Sequence, residues 1–285
     1  MSEHTTQSPR GFDAREVADE LAPTWASRRE QIEAVCAPLR EAMLRDLDPQ
    51  PGDTVLELAA GTGDTGFDAA ERVAAEGRLI SSDFAPTMLD EARKRGAERG
   101  IENVEFEVID ATEMELEDDS VDGVLCRFGY MLMTDVEAAL SGTRRVLRPG
   151  GKVSLAVWGS PEKNPFFMIP AISLIQRGHM PPPEPPPAPG LFSMADPERI
   201  KALLRNAGFE EVRVDEVDLT FPVPNAGGYL EFITDTAGPL AIALRGLDEQ
   251  QRAEVLGDVE DSLERFAADG GGYPLPGLAL CAVGS

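Results

Sequence analysis

The chain has 285 residues, 42% hydrophobic and 27% charged, a balance that suits a packed globular core and excludes a disordered or fibrous chain. Fifty-one acidic residues against 26 basic ones give a net charge of −25, whose field repels phosphate backbones and anionic lipid, so no nucleic-acid or membrane partner is expected. Cys36, Cys126 and Cys281 are too few and scattered for a disulfide framework or a metal site, no apolar run is long enough to cross a bilayer, and MSEHTTQSPRGFDARE lacks the basic and apolar regions of a leader, which together imply a cytoplasmic, metal-free protein.

Residues 1–50 read as an amino-terminal helical cap. Val17, Leu21 and Trp25 recur at four-residue steps, and Leu39, Met43, Leu44 and Leu47 form a second stripe begun near Pro38, so the spacing predicts two helices. From Thr54 short apolar runs alternate with amphipathic segments, the pattern of βαβ units and a parallel sheet over residues 51–160. The expected strands are Thr54 to Leu58, Arg78 to Ser82, Val104 to Ile109, Val121 to Arg127 and Lys152 to Trp158. Gly77 is expected to end the first crossover helix, Pro86 to open the second, and Thr134 with Glu137 to form a capping box. LRPGG, Leu147 to Gly151, reads as a tight turn into the fifth strand.

Past Trp158 the rhythm is interrupted, and residues 161–195, which contain PPPEPPPAPG, read as an extended lid or a stiff surface linker. Residues 196–285 complete the sheet. A helix is expected from the Asp196 N-cap and Pro197 to Gly208, then a strand through Val212, Val214, Val217, Leu219 and Phe221, whose one-residue phase slip between Val214 and Val217 suggests a bulge. A helical insertion at about 226–270, capped in its second half by Asp248 and Gln251, precedes a last strand, Leu278 to Val283.

The run VLELAAGTGDTG, Val55 to Gly66, passes from a strand ending in Glu57 through small residues, Ala59 among them, into a helix after Gly61 and Gly63. Glycines there let backbone amides approach a ligand and accept positive φ. The run also satisfies GxGxxG, so by itself it fits a dinucleotide equally well. Glu57, however, sets a carboxylate where a pyrophosphate would need neutral or positive surroundings. S-adenosylmethionine carries no phosphate but a cationic sulfonium and an ammonium, and is compatible with that carboxylate.

Asp83, at the end of the second strand, stands where a carboxylate accepts from ribose hydroxyls. Asp110 with Ala111, after the third, stands where adenine would be held, and Phe84 and Met88 are placed to sandwich that ring. Each acid taken singly reads equally well as a solvated strand end or a helix N-cap, whereas three in register favour one cofactor.

On these residues the chain resembles the ubiquinone/menaquinone biosynthesis type of class I methyltransferase. The segments that carry the resemblance are ELAAGTGDTG, SSDFAPTMLDEAR, IDATEMEL, CRFGYMLMTDVEAAL and RRVLRPGGKVSLAVWG, within Pro51 to Gly159. The resemblance implies an α/β, Rossmann-like, seven-stranded, mostly parallel sheet with helices on both faces, an antiparallel last strand inserted between the fifth and sixth, and helical elaborations over the pocket. It implies S-adenosylmethionine as cofactor and S-adenosylhomocysteine as product. Gly61 and Gly63 would meet the methionine moiety, Asp83 the ribose, Asp110 and Ala111 the adenine, and the backbone around Arg127 the amino group. The long insertion and the proline-rich segment depart from that pattern and point to an enclosed pocket for a particular metabolite.

The expected activity is methyl transfer to an O, N or C atom of a small organic metabolite, in which alignment dominates and a dedicated base is optional. His4 and His179 are the only histidines; His179 flanks the proline-rich segment, and Trp25, Phe128, Tyr130 and Met131 are candidate walls of the substrate pocket. The alternatives are an NAD-dependent oxidoreductase, favoured by the GxGxxG pattern alone, and a non-catalytic S-adenosylmethionine-binding protein. The sequence leaves the oligomeric state open, a homodimer included.

Overall fold

The apolar runs become strands of one sheet because helices cover both of its faces, leaving no solvent side along which polar residues would alternate. The computed structural model describes residues 14–285, so His4 lies outside the described residues. The strands are β1 Thr54–Glu57, β2 Arg78–Asp83, β3 Val104–Val108, β4 Val121–Arg127, β5 Leu147–Trp158, β6 Val212–Val223 and β7 Tyr273–Gly284. They form a seven-stranded sheet in the order β3-β2-β1-β4-β5-β7-β6, parallel from β3 through β5, with β7 antiparallel to both of its neighbours.

The helices are α1 Ala14–Leu47, α2 Asp64–Val73, α3 Pro86–Arg99, α4 Val136–Val146, α5 Pro165–Gln176, α6 Pro197–Asn206, α7 Ala226–Thr236, α8 Gly238–Arg245 and α9 Glu249–Leu263. In one group α1 packs on α2 and α3; in the other α4 packs on α6. Among the described residues no helix is long and apolar enough to cross a membrane.

Several local expectations give way to packing. The two amino-terminal helices are one, α1, with Pro23 and Pro38 inside it. Each proline removes one backbone hydrogen bond, yet Leu39, Met43, Leu44 and Leu47 are buried and hold the helix on the sheet regardless. The first crossover helix ends at Val73 on Ala74 (φ 59°), before Gly77. Gly77 serves a close approach instead, since a Cβ there would lie 2.6 Å from the Asp53 carbonyl oxygen. The cap of α4 is Asp135, whose side chain accepts from the Ala138 amide, and not Thr134.

LRPGG lies within β5. Pairing steps from Leu147 opposite Val121 to Lys152 opposite Gly123, so the intervening residues form a bulge, with Gly150 at φ 84°. In β6 the register is continuous through Val214 and Val217, without the expected bulge. Both α1 and α6 lie against β6, so apolar residues are useful on either side of the strand and the phase slip needs no backbone irregularity. Inside the stretch expected to be lid or linker, PFFMIPAISLIQ forms α5, apolar on nearly every face because it is packed between β7, α8 and α9. The proline run that follows has no regular structure and closes a turn from the Ala188 amide to the Pro185 carbonyl.

The strand order grows outward from β1 to β3 and then restarts on the other side of β1 with β4, so the carboxyl ends of β1 and β4 border a crevice at the switch point of the sheet. The insertion α7–α9 bears on this end through α5, and the buried Asn164 fixes where α5 starts. Its amide group donates to the carbonyls of Gly159, Ser160 and Leu278, and its Oδ1 accepts from the Leu278 amide at 3.0 Å. Asn164→Leu strands these backbone groups in the interior, and the variant should lose at least about 3 kcal/mol in urea unfolding; a loss under about 1 kcal/mol would show that the clamp is dispensable.

Candidate functional site

The turn from β1 into α2 is held between two strands. The Leu58 amide donates to the Leu125 carbonyl at 2.8 Å, and the Ala60 amide to the Ser82 carbonyl at 2.9 Å. Ala59, Gly61 and Gly63 have φ of 51°, 55° and 85°. Gly63 is excluded from bearing a side chain by Phe67, whose ring a Cβ would meet at 2.6 Å. At Gly61 no atom lies within 4 Å of that position, so the turn opens onto free space at this residue.

Glu57 is buried, and its Oε1 accepts from the Gly66 amide in the first turn of α2 at 2.7 Å, while Ser81 Oγ donates to Oε2 at 3.3 Å. A Cβ on Gly66 would fall 2.2 Å from Oε2, so the last glycine of the GxGxxG pattern is there to admit a carboxylate. That carboxylate takes the position at the helix N-terminus which a dinucleotide's pyrophosphate would need. Asp64, also buried, stands in the same turn and is paired with Arg95 and Arg99.

Asp83 is buried at the end of β2. Its Oδ2 accepts from the Gly61 amide and its Oδ1 from the Ala85 amide, both at 3.0 Å, and the Phe84 amide also donates to the carboxylate, so it fastens the turn to β2. Burial pushes its carboxyl upward, opposed by these amide bonds. Asp110 is exposed after β3, where its side chain accepts from the Thr112 amide and hydroxyl; Ala111 beside it is buried.

Arg127, at the end of β4, is nearly buried and donates through both terminal nitrogens to Glu33 of α1. Glu33 also receives Arg40, whose Nε reaches Asp68 of α2 at 2.6 Å. Glu33 and Arg40 escape a sequence reading because nothing in a helix's own spacing reveals a partner 94 residues away. Gly129 is a second omission: a Cβ there would lie 2.6 Å from both Ala59 Cβ and Cys126 Sγ, so only glycine lets the β4 end press on the β1–α2 turn.

The aromatic and apolar candidates divide between two places. Trp25, Phe84 and Met88 pack together with Ala18, Ala22 and Ala85, apart from the main core and on the β2 side of the crevice. Phe128 stacks on Trp158 at 4.0 Å and 14°, beginning an aromatic nest that continues through Phe167, Phe166, Phe221 and Tyr229. Tyr130 is buried with its hydroxyl 2.6 Å from Thr143 Oγ1, and the Met131 carbonyl accepts from the Gly190 amide and Ser193 Oγ, pinning the end of the proline-rich segment. His179 lies just past α5, whose other end meets the nest; ten residues of helical rise from Phe167 to Arg177 put about 15 Å between them.

An open depression of about 840 Å³, lined by Arg45, Asp46, Lys152 and Arg213 among others, lies at the opposite, amino end of β5. Asp46 there pairs with Arg45 and Arg213, and none of the candidate site residues lines it.

Residues 39–173 match the model of the ubiE/COQ5 methyltransferase family. A demethylmenaquinone methyltransferase of Clavibacter sepedonicus is 34% identical over 140 residues, 49% of this chain and 51% of that protein. One of Deinococcus radiodurans is 31% identical over 168 residues, 54% of this chain and 67% of that protein. The first relative is thus matched over about half its length. Phosphoethanolamine N-methyltransferase 2 of Haemonchus contortus, solved with S-adenosyl-L-methionine, shares the fold at a TM-score of 0.57 and 18% identity, over 98% of this chain and 61% of that one.

Burial pushes the Glu57 carboxyl up from 4.5 to about 8, with the Gly66 amide, Arg127 and Ser81 acting in the opposite direction. The folded protein therefore binds this proton more tightly than the unfolded chain, and the stability it contributes is complete below the ordinary 4.5 and lost as pH rises to about 8. In Glu57→Gln the urea midpoint should fall less between about pH 5 and pH 8 than in the wild type; parallel declines would show that Glu57 does not titrate in this window.

Proposed function

The chain belongs to the ubiE/COQ5 methyltransferase family, and from that premise we propose that it transfers the methyl group of S-adenosylmethionine to an O, N or C atom of a small organic molecule. The observation that carries this reading is the Glu57 carboxyl group on the first turn of α2, which occupies the place a dinucleotide's pyrophosphate would need and so favours a phosphate-free nucleoside. The free space over Gly61, beside the buried acid Asp83, fits such a ligand.

In this reading Gly61 and Gly63 admit the methionine moiety, Asp83 accepts from the ribose hydroxyls, and Asp110 with Ala111 meets the adenine edge between Phe84 and Met88. Arg127, neutralised by Glu33, keeps the β4 end in place with its backbone toward the amino group. When bound, S-adenosylmethionine supplies a methyl group on a positively charged sulfur. The protein's part is alignment: a well-oriented pair can reach effective molarities on the order of 10⁵ to 10⁸ M, so an acceptor that is already acidic or electron-rich needs no dedicated base. The Phe128–Trp158 stack at the neighbouring strand ends supports an apolar, ring-bearing acceptor, and the net charge of −25 argues against a nucleic-acid one.

Calorimetry with S-adenosylhomocysteine tests the site. Gly61→Val forces a β-branched residue to a φ of 55°, and Asp83→Ala removes the ribose acceptor together with its amide contacts to Gly61, Phe84 and Ala85. Both variants should remain folded by circular dichroism and lose at least about tenfold in affinity. Unchanged affinity in both would overturn the assignment, as would a wild type stabilised by NADH but not by S-adenosylhomocysteine.

A further inference from the structure

We propose that Trp25 couples the two halves of the site: its ring walls the adenosine side while its indole N–H caps α7, so that cofactor binding steadies the insertion on the acceptor side. The proposal rests on the cofactor reading above and adds a role for a residue that the sequence places among the substrate-pocket walls.

The ring's neighbours are those of the β2 end. Trp25, Phe84 and Met88 form one small apolar cluster with Ala22 and Ala85, and Ala85 donates its amide to Asp83. Asp19, one and a half turns earlier on α1, accepts from Thr87 Oγ1 and ties the same stretch to the start of α3.

The opposite edge of the same stretch is bonded to the insertion. Trp25 Nε1 donates to the Thr236 carbonyl at 2.8 Å, Thr24 Oγ1 donates to the Asp235 carbonyl at 2.8 Å, and Arg28 Nε pairs with the Asp235 carboxylate at 2.7 Å. Glu20 pairs with Arg245 of α8. Residues 235 and 236 stand in the last turn of α7, where carbonyls have no intrahelical donor, so α1 supplies what the helix end lacks. From α7 the contacts run on to the acceptor side, since the Tyr229 hydroxyl donates to the Phe166 carbonyl and Phe166 stacks on Phe221 at 3.8 Å in the nest around Trp158.

Pro23 removes the helical bond to the Asp19 carbonyl, leaving side-chain contacts at both edges to set the position of this stretch of α1. A ligand that fixes one edge therefore restrains the other, and the coupling is reciprocal.

Hydrogen exchange in the last turn of α7, with and without S-adenosylhomocysteine, tests the coupling. Trp25→Phe keeps an aromatic ring beside Phe84 and removes the donor. Thr24→Val removes the neighbouring cap without touching the cluster, and carries the test alone if circular dichroism shows Trp25→Phe unfolded. In the wild type, saturating S-adenosylhomocysteine should slow exchange there by at least about tenfold; in Trp25→Phe, also saturated, the slowing should fall below about twofold, and in Thr24→Val, whose affinity should stay within about threefold of the wild type, it should lie in between. Trp25→Ala should weaken S-adenosylhomocysteine by at least about tenfold, because the wall itself is gone. Equal slowing in the wild type and the folded donor-deleted variants, or none in a wild type that binds the ligand, overturns the coupling and leaves the cofactor reading intact. A wild type that fails to bind S-adenosylhomocysteine sinks both.

Discussion

The crevice is organised by one carboxylate seated on the first turn of a helix. A helix N-terminus offers free amides and a partial positive charge, and in most nucleotide-binding sheets an incoming phosphate satisfies them. Here Glu57 satisfies the Gly66 amide from within the protein. A ligand arriving at this turn meets backbone polarity already answered. Glycine at position 66 follows from that contact, because any Cβ would occupy the space of the carboxylate. A dinucleotide pattern in the letters thus has a different physical cause in the fold.

The acids of α1 and α2 beside the crevice are met by arginines, since an unpaired buried charge is the costlier alternative. Arg127 faces Glu33, Arg40 bridges Glu33 and Asp68, and Arg95 and Arg99 cover Asp64, Asp68 and Glu71. These pairs join α1, α2, α3 and the end of β4, so the network that balances the acids also presses the amino-terminal helix onto the site. Several arginines of an otherwise strongly acidic protein are thereby engaged in these pairs.

What the sequence made legible is what a few neighbouring residues decide. The Pro86 start of α3, the Asp196 cap of α6 and the reciprocal Asp248–Gln251 capping box of α9 depend on hydrogen bonds closed within four residues, and they stand where the letters place them. The five parallel strands and the antiparallel last one were legible from apolar runs and family resemblance. Features set by distant partners were not: α1 continues through two prolines because its stripe is buried elsewhere, β6 keeps its register because helices from both groups cover it, and α5 is apolar nearly all round because it is enclosed. At the site, Glu57, Asp83 and the glycines could be named from local grammar, whereas Glu33, Arg40 and Gly129 are defined by contacts across the fold.

Ala59 and Phe128 carry the last step of the synthesis. Both are non-glycine residues with positive φ, 51° and 61°, in the two turns that flank the crevice. Each such residue costs on the order of 1 kcal/mol and persists only where its surroundings insist on it. Phe128 is held by its ring on Trp158 and by its amide on the Ala156 carbonyl, Ala59 by the amides on either side of it bonded to β4 and β2. Gly129 lets the two turns touch where a larger residue would wedge them apart. Gly129 and Ala59 thus bring the glycine turn and the β4 turn into contact. In the proposed transfer, which depends on alignment, a donor at the first turn and an acceptor beside the second would have little distance left to close.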